Sequence, residues 1–357
     1  LKILTIVGAR PQFIKAATVS RVIQASANVT EVIVHTGQHF DKNMSDIFFE
    51  EMDIPKPDYN LEISSLSHGA MTGRMLEGIE KIIIDEQPGW VLVYGDTNST
   101  LAGALAASKL HVKVAHVEAG LRSFNVRMPE EQNRILTDRL STVLFCPTGV
   151  AVNNLNSEGY QNLACKVTKV GDVMLDAALF YADLAQRPGC FDDFNVQGKF
   201  VLATIHRAEN TDDPVRLKAI ILALNKIHLT TLVVLPLHPR TRKIISDLGL
   251  ALDVHVVDPV GYLEMVYLLK SCEFVLSDSG GVQKEAYYFR KSCLILRDET
   301  EWTELVECGA NKIVGANYDN IMLAAKIIKK DIDFSEDFYG KGDAAEKIVS
   351  YLELYNA

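Results

Sequence analysis

Short runs rich in Val, Ile and Leu recur along the chain, each followed by a longer stretch with helical spacing. This alternation restricts the fold more than any other feature of the sequence. One series comprises Ile3 to Val7, Val32 to His35, Trp90 to Tyr94, Val112 to Val117, Val143 to Cys146 and Val167 to Val170. A second comprises Phe200 to Thr204, Leu232 to Leu235, Val254 to Val257, Phe274 to Leu276, Cys293 to Leu296 and Lys312 to Val314. Continuous apolar strands alternating with helices are buried on both faces, which predicts parallel sheets covered by helices on each side. The fold class is therefore α/β, with two sheets in 357 residues, a length suited to about two domains.

Between the two series, Ala185 to Asp193 brings Pro188-Gly189 and two aspartates into the apolar rhythm and reads as a linker or as the entry to the second domain. The expected layout is an N-terminal domain over residues 1–180, a C-terminal domain over 181–340 and a terminal helix over 341–357. The apolar positions Ala344, Ala345, Ile348, Val349, Leu352 and Leu354 suit an amphipathic helix packing across the domain junction. Two facing α/β domains create a cleft, and ligands of open α/β sheets bind beyond the carboxyl ends of the strands.

A net charge of -10 argues against a broad nucleic-acid or anionic-membrane surface, so the expected partner is a small molecule met in a local pocket. The six cysteines form no CxxC pair and no zinc spacing, and read as mostly buried, reduced thiols in a cytoplasmic protein. No signal-peptide pattern opens the sequence, and no apolar stretch reaches the roughly 18 residues of a membrane span. No metal site is expected from the histidine spacing.

The residues that follow the strands carry the functional information. After Phe274 to Leu276 comes Asp278-Ser279-Gly280-Gly281-Val282-Gln283-Lys284-Glu285, a small polar turn leading into a helix. Helix-terminal amides and adjacent glycines admit an anion to the backbone, which suits a phosphorylated ligand; the alternative is that Ser279 only caps the helix and the glycines only make the turn. After the first strand stand Arg10 and Lys15, able to meet a diphosphate or a carboxylate, or else a solvated pair. That loop has a single glycine where a dinucleotide fold wants GxGxxG, so NAD is not expected. Asp96, Glu118 and the Glu130-Glu131 pair place acidic groups after further strands, beyond what helix capping needs at Thr97 to Ser99. Crowded or partly desolvated carboxylates serve as acids and bases near neutral pH. In the second series His206-Arg207 and His238-Pro239-Arg240 follow neighbouring strands and suggest a phosphate-facing wall.

Taken together, Gly8-Ala9-Arg10-Pro11-Gln12, Thr36-Gly37-Gln38-His39, Gly95-Asp96-Thr97, His116-Val117-Glu118-Ala119-Gly120-Leu121-Arg122, Pro129-Glu130-Glu131-x-Asn133-Arg134, His206-Arg207-x-Glu209-Asn210 and Asp278-Ser279-Gly280-Gly281 resemble the nonhydrolysing UDP-N-acetylglucosamine 2-epimerase family, essentially end to end. The resemblance implies two Rossmann-like α/β/α domains facing across a cleft in the glycosyltransferase-B arrangement, UDP held largely by the C-terminal domain, and a homodimer. It implies a UDP-sugar substrate, no cofactor, and catalytic importance at Asp96, Glu118, Glu130 and His206. It further implies substrate contacts at Arg10, Lys15, Arg134, His238, Ser279, Gly280, Gly281 and Glu285, the last suited to ribose hydroxyls.

The stretches Arg122 to Pro129 and Arg297 to Glu304 look closer to the subgroup acting on UDP-2,3-diacetamido-2,3-dideoxyglucuronic acid, made for O-antigen, and Arg127 suits a sugar carboxylate. Ala208 stands where many relatives carry a basic residue, and Phe40 and Asp41 where they carry another polar set, so allosteric activation by substrate is not expected. A UDP-sugar glycosyltransferase of the same architecture, a hydrolysing relative and a non-catalytic nucleotide-sugar sensor are the alternatives. The number of acids after the N-terminal strands favours the epimerase, because a transferase generally needs one base there.

Overall fold

The computed structural model describes residues 1–38, 56–189, 191, 199–328 and 332–355. The described chain divides into two compact units, Leu1–Ala177 with Asp337–Ala357, and Ala178–Glu336.

The first unit is built on a seven-stranded, wholly parallel sheet. Its strands are β1 (Lys2–Val7), β2 (Thr30–His35), β3 (Tyr59–Asn60), β4 (Trp90–Tyr94), β5 (Lys113–Val117), β6 (Val143–Cys146) and β7 (Lys166–Lys169), in the spatial order 3-2-1-4-5-6-7. Every residue of β4 is buried and so is most of β1, as their unbroken apolar sequences require when helices cover both faces. On one face α2 (His68–Glu86) and α3 (Asn98–Lys109) bury Met75, Ile79, Ile83 and a run of alanines against Leu4, Val34, Val91 and Val93. The small residues of α3 permit this close approach.

Also in this unit are α1 (Arg10–Ala25), α4 (Pro129–Leu140), α5 (Gly149–Ser157) and α6 (Val173–Ala182), which runs on into the second unit. The chain returns to the first unit at Asp337. Asp172 N–H donates to the Tyr339 carbonyl at 2.8 Å and Ala345 N–H to the Asp176 carboxylate at 2.8 Å, fixing the start of the terminal helix. That helix packs its Tyr351 ring edge-on against Phe145 and meets α1 through Ser26 and Glu353.

The second unit has a six-stranded parallel sheet of β8 (Val201–Thr204), β9 (Val233–Pro236), β10 (His255–Val257), β11 (Val275–Ser277), β12 (Cys293–Ile295) and β13 (Asn311–Ile313), ordered 10-9-8-11-12-13. Its helices are α7 (Ala208–Thr211), α8 (Pro214–His228), α9 (Pro239–Asp247), α10 (Tyr262–Ser271), α11 (Gly280–Tyr288), α12 (Thr303–Glu307) and α13 (Tyr318–Ile327), and α14 (Ala344–Leu354) is the terminal helix of the first unit. Two apolar clusters cover the two faces of this sheet, one around Leu217, Ile220, Leu224 and Leu235, the other around Phe200, Leu268, Val275 and Ile295.

In both sheets the winding direction reverses beside the first strand, between β1 and β4 and between β8 and β11. At such a switch point the loops leaving the two strands run in opposite directions and open a crevice at the carboxyl ends. The residues after β1 and β4 and after β8 and β11, among them Arg10, Lys15, Asp96, His206 and Gly280, are part of the set singled out by their chemistry. No helix among the described residues is long and apolar enough to cross a membrane.

Candidate functional site

At the crevice of the first unit lies a cavity of about 190 Å³ whose lining includes Lys15, Gln38, Asp96, Asn98, Glu130 and Asn133. Its floor is the loop from β1 to α1. Gln12, buried in the first turn of α1, accepts from the amides of Gly8 (2.9 Å) and Ala9 (3.0 Å) and donates to the Tyr94 carbonyl (2.8 Å), so the β1–α1 loop is tied to the end of β4. Arg10 is the first residue of α1, and its side chain lies outside the described residues. Lys15, one turn further, is not solvated: its ammonium is ion-paired with Glu118, and the two side chains are 9% and 10% exposed.

Glu118 holds an unusual backbone. Its φ is +72°, a left-handed conformation that costs a non-glycine residue about 1–2 kcal/mol. The conformation is held because Glu118 N–H and Ala119 N–H both donate to the Phe145 carbonyl at 3.1 Å. Strain retained by surrounding bonds is characteristic of sites where a side chain must be aimed. Gly95 is also left-handed, at φ +64°, and a Cβ there would stand 3.4 Å from both Glu118 Oε2 and Lys15 Nζ.

Asp96 is not spent on capping. Thr97 takes that role for α3, accepting from Thr100 N–H, while the Asp96 carboxylate is ion-paired with Arg134 and remains one-third exposed at the cavity. The two glutamates opening α4 separate cleanly. Glu131 is buried and gathers Ser123 N–H (3.0 Å), Phe124 N–H (3.0 Å) and Arg134 Nη1 (2.5 Å). Despite the desolvation that burial imposes, these donors hold its carboxyl below the ordinary glutamate range. Glu130 is exposed and lines the cavity. Arg134, expected as a substrate contact, is buried between Asp96 and Glu131 and braces both.

In the second unit Asp278, fully buried, ties the loop after β8 to the loop after β11. Its carboxylate accepts from His206 N–H and Arg207 N–H at 3.1 Å and from Asn210 Nδ2 at 3.2 Å, and faces His206 Nδ1 at 3.3 Å. The His206 pKa is pushed below its ordinary value by partial burial of the ring, with Arg207 and His238 adding and the Asp278 carboxylate opposing. Ser279 occupies the N-cap position of α11 but makes no side-chain capping bond. A Cβ on Gly280 would come within 3.1 Å of Glu301 Oε1 and 3.9 Å of Arg207 Nη2, so this helix start is a close-fitting cradle with a guanidinium beside it. His238 caps α9, Nδ1 accepting from Arg240 N–H at 3.3 Å, which leaves Nε2 as the outward nitrogen. Arg240 itself is exposed and paired with Asp212 at 2.7 Å. Glu285 is 7% exposed in the second turn of α11. His39, Phe40 and Asp41 lie outside the described residues.

Two residues of this architecture stand in the resembling motifs, but the sequence assigns them no role of their own. Gln12 reads as part of a helix start, and His116 as one residue of an apolar strand; both prove to be buried and bonded to the crests that hold Asp96.

With this geometry in hand, the likeness to known proteins is specific. A family model described as UDP-N-acetylglucosamine 2-epimerase matches residues 21–353. The UDP-2,3-diacetamido-2,3-dideoxy-D-glucuronate 2-epimerase of Pseudomonas aeruginosa is 60% identical over 354 residues, covering 99% of each chain. The crystal structure of the Methanocaldococcus jannaschii UDP-GlcNAc 2-epimerase in complex with UDP-GlcNAc and UDP matches 99% of this chain and 100% of its own with a TM-score of 0.88 at 42% identity. That of the Neisseria meningitidis UDP-GlcNAc 2-epimerase bound to UDP-GlcNAc matches 99% of this chain and 100% of its own with a TM-score of 0.89 at 35% identity. Its two parallel-sheet α/β domains share their fold with these GT-B-like enzymes, and the chain belongs to the UDP-N-acetylglucosamine 2-epimerase family, a family of isomerases.

Proposed function

We propose that the chain interconverts a UDP-2-acetamido sugar and its C2 epimer, with UDP-2,3-diacetamido-2,3-dideoxyglucuronic acid as the favoured substrate, for surface-polysaccharide synthesis. The observation that carries this reading is the 60% identity, along the whole of both chains, to the Pseudomonas aeruginosa enzyme of that name. Family resemblance further supports a homodimer, and the unpaired, mostly buried cysteines among the described residues support a cytoplasmic setting.

The C2 hydrogen of such a sugar is not adjacent to a carbonyl, so its direct removal to a carbanion is prohibitively costly. Elimination opens another route. A base takes the C2 proton, the C1–O bond breaks with its electron pair leaving on the UDP β-phosphate oxygen, and a 2-acetamidoglycal remains. Return of UDP oxygen to C1, with a proton delivered to the opposite face of C2, gives the epimer. The sequence needs acid/base groups on two faces, and Asp96, Glu118 and Glu130 are the candidates. Lys15 pairs with Glu118 and Arg134 with Asp96, which aims the two carboxylates. UDP is assigned to the second unit, its diphosphate on the Gly280–Gly281 amides of α11 with Ser279, His206 and His238 donating, and Glu285 on the ribose. His206, protonated once the diphosphate lies beside it, can give the leaving oxygen a proton and take it back when UDP returns to C1.

Incubation in deuterated water with UDP-N-acetylglucosamine and, separately, the diacetamido uronate nucleotide tests the proposal. The expected result is deuterium at C2 with UDP still attached and no acceptor required. Free sugar would indicate hydrolysis, transfer only with an acceptor would indicate a glycosyltransferase, and absence of exchange would indicate a binding protein.

A further inference from the structure

His116 lies one residue from the end of β5 and Asp138 in the third turn of α4, and neither has any solvent exposure. The ring uses both nitrogens: Nδ1 is 2.7 Å from Asp138 Oδ1 and Nε2 is 2.7 Å from the Gly95 carbonyl oxygen. The second Asp138 oxygen accepts from Gly120 N–H at 3.2 Å and from Arg122 Nη1 at 2.7 Å, and Arg122 is in turn bonded to Glu158. Replacing a buried ionic cluster with apolar residues of similar volume is often neutral or stabilising, so stability alone does not call for this one. Directional bonds, unlike apolar packing, fix where a peptide plane points.

The contacts fall at telling places. The Gly95 carbonyl belongs to the peptide that begins Asp96, and Gly95 N–H donates to the Val117 carbonyl of the peptide that begins Glu118, at 3.0 Å. The Gly120 amide closes the turn immediately after Glu118. One imidazole–carboxylate pair thus grips the backbone just before Asp96 and just after Glu118, where Gly95, Glu118 and Gly120 are all left-handed. Asp138 belongs to the same helix that supplies Glu130 to the cavity and Arg134 to the Asp96 carboxylate.

We propose that His116, held by Asp138, is a positioning residue for the epimerisation: its Nε2–H bond to the Gly95 carbonyl sets the aim of Asp96 and Glu118 relative to one another. The inference rests on the proposed elimination chemistry for its kinetic readout only. The two amide isosteres separate positioning from mere filling of space. Gln at position 116 places its nitrogen where Nε2 stands and keeps the bond to Gly95; Asn places its nitrogen where Nδ1 stands and keeps only the bond to Asp138.

The experiment compares wild type, His116→Asn and His116→Gln in the deuterium-exchange assay, with UDP affinity by calorimetry and amide hydrogen exchange at residues 95–120. Misplaced reacting groups cost rate more than binding, so His116→Asn is expected to lower kcat by about 10²-fold with KM and UDP affinity within about twofold of wild type. His116→Gln is expected to recover most of that loss, and exchange at Gly95 and Asp96, the amides on either side of the Gly95 carbonyl, to quicken in the Asn variant alone. Equal kcat in wild type and His116→Asn, or equal losses in the two variants, overturns the inference. A wild type that turns over neither substrate defeats the proposed function instead, and the hydrogen-exchange comparison still decides the positioning. Should His116→Asn not fold, Asp138→Asn replaces it, with the same direction expected in kcat and no change in UDP affinity; unchanged kcat there overturns it too.

Discussion

Lys15 of α1 and Glu118 beyond β5 form an ion pair in which both side chains are about nine-tenths withdrawn from water. Removing one partner leaves the other charge buried without its ion pair, whereas removing both takes away the two charges together. Lys15→Met is therefore expected to destabilise the protein by about 3 kcal/mol, and Lys15→Met with Glu118→Gln by clearly less than the sum of the single changes. Urea unfolding of the four proteins measures the cycle, and strict additivity would show that the two groups do not interact. Glu118→Gln alone is expected to lower turnover by about 10²-fold while UDP binding is kept.

The neighbours Glu130 and Glu131 make a sharper contrast. Glu131 carries the Ser123–Phe124 loop and Arg134 on a buried carboxylate, so Glu131→Gln is expected to cost about 1–3 kcal/mol of stability. Glu130 is exposed at the cavity, and Glu130→Gln is expected to leave the melting temperature unchanged while turnover falls by about 10²-fold. The reverse pattern, with Glu131→Gln stable and slow, would exchange the roles assigned to them.

The family resemblance singles out Glu130, but the residues alone do not separate that pair, because both acids suit the positive end of α4 and only their angular position around the helix, fixed by packing, sends one to the loop and the other to the cavity. The strands were legible because the central apolar runs, such as those of β1, β4, β6 and β8, fill buried parallel strands, and the longer ones emerge within a residue or two of the spans read from the sequence, although β7 and β13 are largely exposed. The two residues of β3, Tyr59 and Asn60, carry too short a pattern to announce a strand. Asp96 was legible as a surplus carboxylate beside better caps, and Thr97 does take the capping role. What stayed hidden were the partners. Lys15 and Glu118 are separated by 103 residues and meet only through the order of strands in the sheet, while His116 and Asp138, 22 apart, meet because α4 packs back on the strand that precedes it. His116 within an apolar strand looks like any satisfied core histidine until its second acceptor, the Gly95 carbonyl, is seen.

Gly281 offers a direct probe of the nucleotide site. A Cβ added there meets no protein atom within 4 Å, so Gly281→Ala strains nothing in the unliganded chain. A phosphate resting on the first amides of α11 would meet that methyl group. UDP affinity is expected to fall about tenfold with the thermal midpoint of the free protein unchanged or slightly raised, since alanine favours the helix. Calorimetry with UDP measures the change. Full affinity in the alanine variant would remove the start of α11 from the diphosphate site.

His206 ties nucleotide binding to pH. Its pKa lies below the ordinary value near 6.5 because burial of the ring, Arg207 and His238 outweigh Asp278. A histidine whose pKa falls on folding binds protons more readily in the unfolded chain, so its contribution to stability is present above about pH 6.5 and is lost as pH falls toward the folded value. The free protein therefore keeps His206 neutral at pH 7, and the acid limb of kcat/KM is expected below 6.5. A bound diphosphate adds negative charge beside the ring and favours the imidazolium, so UDP should raise the His206 pKa. Titration of the His206 ring resonances with and without UDP, assigned by loss of the signal in His206→Gln, measures both values. A pKa at or above 6.5 in the free protein, or one that UDP leaves in place, would separate His206 from the diphosphate and return the proton transfer at the leaving oxygen to another group.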